Sequence, residues 1–287
     1  MTIEFSYQAL HLTELAAVHT LKASPHHRCY SWGTPGNPQE QSSQAFFMRF
    51  MFDRHAPAWM GPITLRATQR CVIPQTRDTA PLDLYIDDGQ HRLVNLVLIA
   101  RATQELALEA LTPQAGRCLR DEEVIRLGNM VATPYLAAIA GMNVECRLAH
   151  EQIARTVHDI IDCAHAVALE AKAKLASINA KLEPTRRQFG VDCDDYKDLL
   201  ASRLAAQRTL SDANENLVYN AYLKLRSELM GSGWSDFVNI AEGVVERLKV
   251  INFALVLCQP VPCSNPGGQS HSGLAQAPRR RTKSPRK

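Results

Sequence analysis

The segment Asp88-Gly89-Gln90-His91-Arg92 gathers the groups best suited to chemistry in this 287-residue chain. Arg92 offers a planar fork of N–H donors that matches phosphate oxygens. Gln90 and His91 offer hydrogen bonds to a phosphate, a ribose or an attacking water, and Gly89 lets a ligand come close to the backbone. Asp87 or Asp88 could instead hold a divalent metal. The plain alternative is that Asp88 caps a helix, Gly89 makes a turn, and His91 and Arg92 face solvent. A five-residue string does not separate these readings on its own.

The flanking residues say how the segment is positioned. Leu82, Leu84 and Ile86 alternate with Asp83, Tyr85 and Asp87, the period-two pattern of a strand with one buried face. Leu93, Leu96, Val97 and Ala100 then recur at helical spacing. The chain therefore turns from strand to helix within two or three residues, with Asp88 expected at the N-cap. A helix that opens in this way aims unpaired N–H groups, and the positive end of its dipole, at whatever lies before it. Such an end suits an anion.

Elsewhere the pattern predicts a helix over 10–22, a Gly/Pro/Ser/Gln-rich loop over 31–44, a helix over 44–54 and strands over 60–67 and 70–74. Past a Pro/Gly connection at 112–117 the chain reads as mainly helical. Residues 149–183 contain neither Gly nor Pro, and their apolar residues step mostly by three and four, predicting a helix of roughly 50 Å at about 1.5 Å per residue. Its alanine-rich seam suits close packing against a neighbour, with 196–210 as the candidate. Helices over 213–230 and 234–249 follow, then an apolar stretch, 250–257, that resembles a buried strand returning to the sheet. From 258 the composition turns to Pro, Gly, Ser, Gln and Arg, and a disordered basic tail is expected to 287.

Composition removes several classes of function. No apolar run approaches the roughly 20 residues of a membrane span, and the first residues lack the basic-then-apolar order of a secretory signal, so a cytoplasmic protein is expected. Eight cysteines lie scattered without a Cys-x-x-Cys pair, which favours reduced structural thiols over zinc. The net charge of +3 is uneven. Setting aside Arg279, Arg280, Arg281, Lys283, Arg286 and Lys287 from the 32 basic residues leaves 26 against 29 acidic ones, so attraction to nucleic acid must come from a local patch or the tail.

The string Tyr85-Ile86-Asp87-Asp88-Gly89-Gln90-His91-Arg92-Leu93 resembles the Asp-Gly-Gln-Gln-Arg-Leu motif of the GmrSD-type restriction endonuclease N-terminal family, which has a ParB/sulfiredoxin-like fold. That family carries an upstream Gln-Arg-x-Tyr-x-Trp element, and His27-Arg28-Cys29-Tyr30-Ser31-Trp32 looks like it. Between them Trp59-Met60-Gly61-Pro62-Ile63-Thr64-Leu65 is similar to the family's intervening strand. Order and spacing of all three agree. The resemblance spans roughly residues 10–257, strongly in the first hundred. Departures are His27 and His91 where the family has Gln, Val94-Asn95 for Thr-Thr, and no His-Asn-His nuclease pattern downstream. Related ParB and sulfiredoxin-like domains do carry His-Arg in the central motif, so binding is the firmer expectation and hydrolysis the weaker.

The resemblance implies an α+β fold: a small ParB/sulfiredoxin-like mixed sheet with helices over 1–111, a helical region with a final strand over 112–257, and the tail over 258–287. It implies a nucleoside triphosphate, with Mg2+, bound by Asp88, Gly89, Gln90, Arg92, Arg28 and Tyr30, and hydrolysed through Asp88, Gln90, His91 and Arg92. It further implies a sensor in DNA restriction and phage defence with DNA as partner, while the departure from the family's HNH pattern leads to the expectation of a separate HNH nuclease partner. The alternatives are a non-enzymatic ParB-like DNA-binding or adaptor protein, or a truncated remnant. Trp32 and Tyr30 could also be core anchors. His158, Asp162 and His165 share one helix face at metal-ligand spacing, although solvated pairs are the commoner outcome. Asn216, Asn220, Tyr222 and Lys224 lie where the family has a helix facing its pocket.

Overall fold

A computed structural model describes residues 3–16, 20–26, 28–53, 55–69, 71, 73, 83–112, 119–149, 151 and 153–260. The elements run β1 (Ile3–His11), α1 (Leu12–Leu15), β2 (Thr20–Ala23), α2 (Pro38–Phe52), β3 (Trp59–Ala67), β4 (Asp83–Asp88) and α3 (Gln90–Ala110). They continue with α4 (Asp121–Val131), α5 (Pro134–Ala140), β5 (Glu145–Cys146), β6 (Arg155–Thr156) and α6 (Val157–Phe189). The last are α7 (Asp194–Glu215), α8 (Leu217–Met230), α9 (Trp234–Val250) and β7 (Asn252–Pro260). The fold is α+β.

Five strands form one mixed sheet in the order β1-β7-β3-β4-β2. β7 returns from the far end of the sequence and inserts between β1, to which it is antiparallel, and β3, to which it is parallel. β3 and β4 pair antiparallel, and β4 and β2 parallel. The returning strand expected over 250–257 is present as Asn252–Pro260, so Val250 closes α9 and Cys258, Gln259 and Pro260, expected in the tail, pair with β1 inside the sheet, where Phe253, Leu255 and Leu257 are buried.

α3 runs through the centre of the core. Leu93 to Ala100 are buried without a break, so the helix is covered on all sides, not on the single face that its main repeat suggests. It packs against α4, α5, α8 and α9. One hydrophobic cluster joins residues from both sides of residue 111, from Leu10 to Leu257. α6 is 33 residues long and lies along α7; of the seam read from sequence Val157, Ile160, Ala164, Ala171 and Ile178 are buried, whereas Val167 is exposed and Ala168 is buried in its place.

Several boundaries differ from expectation. The described residues of 10–22 are strand, one helical turn and strand, because β1 and β2 both pair in the sheet and override the local helical spacing. The stretch read as loop to residue 44 already contains α2, whose start is fixed by Asn37 accepting from the Glu40 N–H and by Pro38 in the first turn. α6 begins at Val157, not 149, where Thr156 caps it by accepting from the Asp159 N–H. It also runs through Pro184 to Phe189. The single helix read over 213–230 is divided at Asn216, which ends α7 and caps α8 through the N–H groups of Val218 and Tyr219. Of the strand expected over 70–74 only Cys71 and Ile73 are described, neither in a strand. His27 and the tail beyond Pro260 lie outside the described residues. Among the described residues no helix is long and apolar enough to cross a membrane.

Candidate functional site

The β4–α3 junction opens into a cleft of about 620 Å³ lined by Asp87, Asp88, Gly89, His91 and Arg92 from the junction, together with Ser24, His26, Arg28, Trp32 and Arg66. The strand-to-helix turn is made by Gly89, with φ +93° and ψ +5°. A Cβ there would lie 2.6 Å from Ile63 Cγ2, so both the backbone conformation and the space exclude a side chain. Gly89, not Asp88, is the N-cap of α3, and no side chain caps the helix. Asp88 ends β4, and its exposed carboxylate instead stands 3.4 Å from Arg92. The first N–H groups of α3 therefore lack the carboxylate cap expected of Asp88, and the positive end of the helix faces the cleft.

Arg92 is fixed by two glycines. Its guanidinium donates to the Met60 carbonyl at 2.9 Å. A Cβ on Gly61 would lie 2.8 Å from its Nη1, and one on Gly89 3.4 Å from its Nη2. Gly61 has φ +87° and sits where the β3–β7 register shifts between Trp59 and Pro62, so the bulge makes room for the guanidinium. Burial lowers the Arg92 pKa, with Asp88 acting in the opposite sense. The group stays a cation, and among the described residues its carboxylate partner is Asp88, at 3.4 Å.

His91 is buried and stacked between two rings, Tyr30 at 5.2 Å and Trp32 at 5.5 Å between centroids. Its Nε2 accepts the Ser31 backbone N–H at 3.0 Å, with the Ser31 hydroxyl at 3.2 Å. Asn95 completes the joint, donating from Nδ2 to the Tyr30 hydroxyl at 2.9 Å and to the His91 carbonyl at 2.7 Å. Arg28 leaves the same segment with its side chain 66% exposed and pairs with Glu40 at 3.4 Å. The three segments singled out in the sequence thus meet here, the first two through His91 and the third through Arg92.

Two of the expected site residues lie apart from the cleft. Gln90 is buried and donates from Nε2 to the Glu145 carbonyl at 3.2 Å, while its Oε1 has no hydrogen-bond partner among the described residues. Tyr30 is buried under His91, and burial raises its pKa. Both support the cleft wall without lining it. His91 lines the cleft, but its accepting nitrogen is engaged by Ser31.

Sequence reasoning passed over Arg66 and Ser24. Arg66 forms a two-bond pair with Asp87, at 3.0 and 3.3 Å, and reaches Ser24 Oγ at 3.2 Å. Asp87 raises the Arg66 pKa and has both its oxygens occupied, so a metal finds Asp88 the more open of the two carboxylates. The signal for Arg66 was the alternation along β3, which sends it to the same sheet face as its cross-strand neighbour. Three arginines and two aspartates line the cleft, and Glu40 pairs with Arg28 beside it, so attraction for an anion rests on Arg92 and the start of α3 and not on net charge.

The other candidates are absorbed by packing. Nδ1 of His158 lies 3.1 Å from Arg101, and its Nε2 lies 3.2 Å from the Met142 carbonyl. Asp162 pairs with the same Arg101, and His165 meets the Tyr219 hydroxyl at 3.0 Å, so each of the three is engaged by a neighbouring protein group. Asn216 caps α8, and Tyr222 binds Glu105 on α3 beside Arg226, so this helix does not line the cleft. In comparisons with known proteins, the chain matched no family model and no curated protein.

Proposed function

We propose that the cleft binds the phosphates of a nucleoside triphosphate and that the chain is the nucleotide-dependent sensor of a DNA restriction system whose nuclease is a separate partner. The observation that carries the reading is the placement of Arg92. A cation held by Met60 between two positive-φ glycines, with the Asp88 carboxylate 3.4 Å away, is preorganised to meet an anion at the start of α3. Arg28 and Arg66 supply further positive charge on the facing walls.

Phosphate transfer to water asks mainly for positioning and charge stabilisation. In the proposed reaction the oxygen of a water bonds to the γ-phosphorus, the bond from that phosphorus to the bridging oxygen breaks, and the diphosphate leaves with the electron pair. The water proton passes to solvent or to the released phosphate. Arg92 and Arg28 neutralise charge on the phosphoryl oxygens, and Asp88 is the exposed carboxylate that could orient the water. Mg2+ bound with the triphosphate would meet that same carboxylate and supply further charge neutralisation. Gln90 and His91 act here as positioning residues, since Gln90 Nε2 donates to the Glu145 carbonyl and His91 Nε2 accepts from Ser31. The restriction role rests on the order of the three motifs.

The test measures triphosphate binding and phosphate release for the wild type and for Arg92→Ala. The account expects binding by the wild type and a loss of at least about tenfold in the variant, as for a charge-assisted hydrogen bond. Absent binding in both, or equal binding, contradicts it. Binding without turnover would retain the pocket and remove the hydrolase.

A further inference from the structure

An apolar groove of about 870 Å³ adjoins the cleft, and Trp32 and Arg92 line both. We propose that this groove is the subsite for the base of the bound nucleotide, with Trp59 and Phe46 presenting ring faces to it. The proposal rests on the triphosphate reading of the neighbouring cleft.

Phe46 is 70% exposed and Trp59 51%, although both are large and apolar and line one concavity. Leaving such surface in water costs about 25 cal/mol per Å², so two uncovered rings in one groove are a stacking platform in wait of a flat partner. Phe47 and Phe50 form its floor, and both are buried. The far wall is held open from beneath. Arg247, buried against Phe50 with its guanidinium 4.1 Å from the ring centroid, donates to the carbonyls of Ala56 and Pro57 and so fixes the turn before β3. Asp53 and His55 stand at the rim, where the polar edge of a base would emerge.

Chemical complementarity selects the occupant. The cleft side presents arginines and the groove side aromatic rings, with Arg92 at the boundary. The matching ligand is anionic at one end and flat, heteroaromatic and apolar-faced at the other, which describes a nucleotide. Trp32 and Trp59 also give the site its own optical signal.

The experiment titrates the full chain with ATP, GTP, CTP, UTP and, separately, tripolyphosphate, following tryptophan fluorescence and heat. At least one nucleotide is expected to bind about tenfold more tightly than tripolyphosphate, the size of one base–aromatic stack. Phe46→Ser and Trp59→Ala should remove that advantage and leave tripolyphosphate affinity unchanged. Phe46→Ser is the cleaner variant, because so exposed a side chain contributes little to folding. Equal affinity of the wild type for tripolyphosphate and all four nucleotides overturns the base subsite and leaves the phosphate cleft standing. So does a preference that both variants retain. If neither tripolyphosphate nor any nucleotide binds, the phosphate reading fails and the base subsite fails with it.

Discussion

His91 Nε2 accepts the Ser31 backbone N–H at 3.0 Å, and this bond ties together two segments separated by 60 residues of sequence. A backbone N–H can only donate, so Nε2 is the accepting nitrogen of this contact. The stack of Tyr30, His91 and Trp32 also gives a physical reason for histidine here. Glutamine could accept the same bond but would leave two aromatic faces without a ring between them.

His91→Leu should therefore lower stability by about 1–3 kcal/mol, the cost of leaving the Ser31 N–H without its acceptor. His91→Gln, which keeps an acceptor, should cost less. Urea unfolding of the two variants checks this, and equal losses would show that the bond matters little beside the stacking.

Gly61→Ala and Gly89→Ala should each destabilise the fold by about 1–3 kcal/mol, since both backbones lie at positive φ. The two should differ in a second readout. A methyl on Gly61 presses only on the Arg92 guanidinium, so Gly61→Ala should weaken triphosphate binding out of proportion to its effect on folding. A Gly61→Ala variant with wild-type affinity would show that Arg92 does not need its present position.

How much of this was legible in sequence depended on whether local pattern and tertiary pairing agreed. β4 and α3 were readable because period two gives way sharply to helical spacing at Asp88-Gly89. β1 was not, since it is an edge strand with Ile3, Phe5 and Tyr7 exposed, and its pairing with a strand almost 250 residues away leaves no local mark. The starts of α2 and α6 did carry signals, Asn37-Pro38-x-Glu40 and Thr156-x-x-Asp159, but the Gly/Pro-rich approach to the first and the uninterrupted apolar spacing before the second outweighed them. In the site, residue types were legible and directions were not. Nothing local says that Gln90 turns inward while its neighbours Gly89 and His91 line the cleft.

Away from the cleft, His158 should make stability depend on pH. Burial, and then the nearby Arg101 charge, lower its pKa from the ordinary 6.5. The unfolded chain then takes up the proton first as pH falls below about 6.5, so His158 favours folding fully above that value and progressively less towards its own lower pKa. Between pH 7 and pH 5 the unfolding midpoint of the wild type should fall more than that of His158→Gln. Parallel curves would contradict the assignment.

Arg28→Ala isolates the positive wall of the cleft, because the side chain is largely exposed and its pair with Glu40 spans 3.4 Å. Stability should change by no more than about 0.5 kcal/mol. Triphosphate affinity should fall by about tenfold, with a weaker dependence on salt than the wild type. A variant that binds as tightly as the wild type would remove Arg28 from the site.

The most direct measurement is a crystal structure of the chain with a non-hydrolysable nucleoside triphosphate. The account predicts phosphate oxygens within hydrogen-bonding reach of Arg92 and Arg28 at the N-terminus of α3. A triphosphate bound elsewhere, or an empty cleft at saturating ligand, would contradict it.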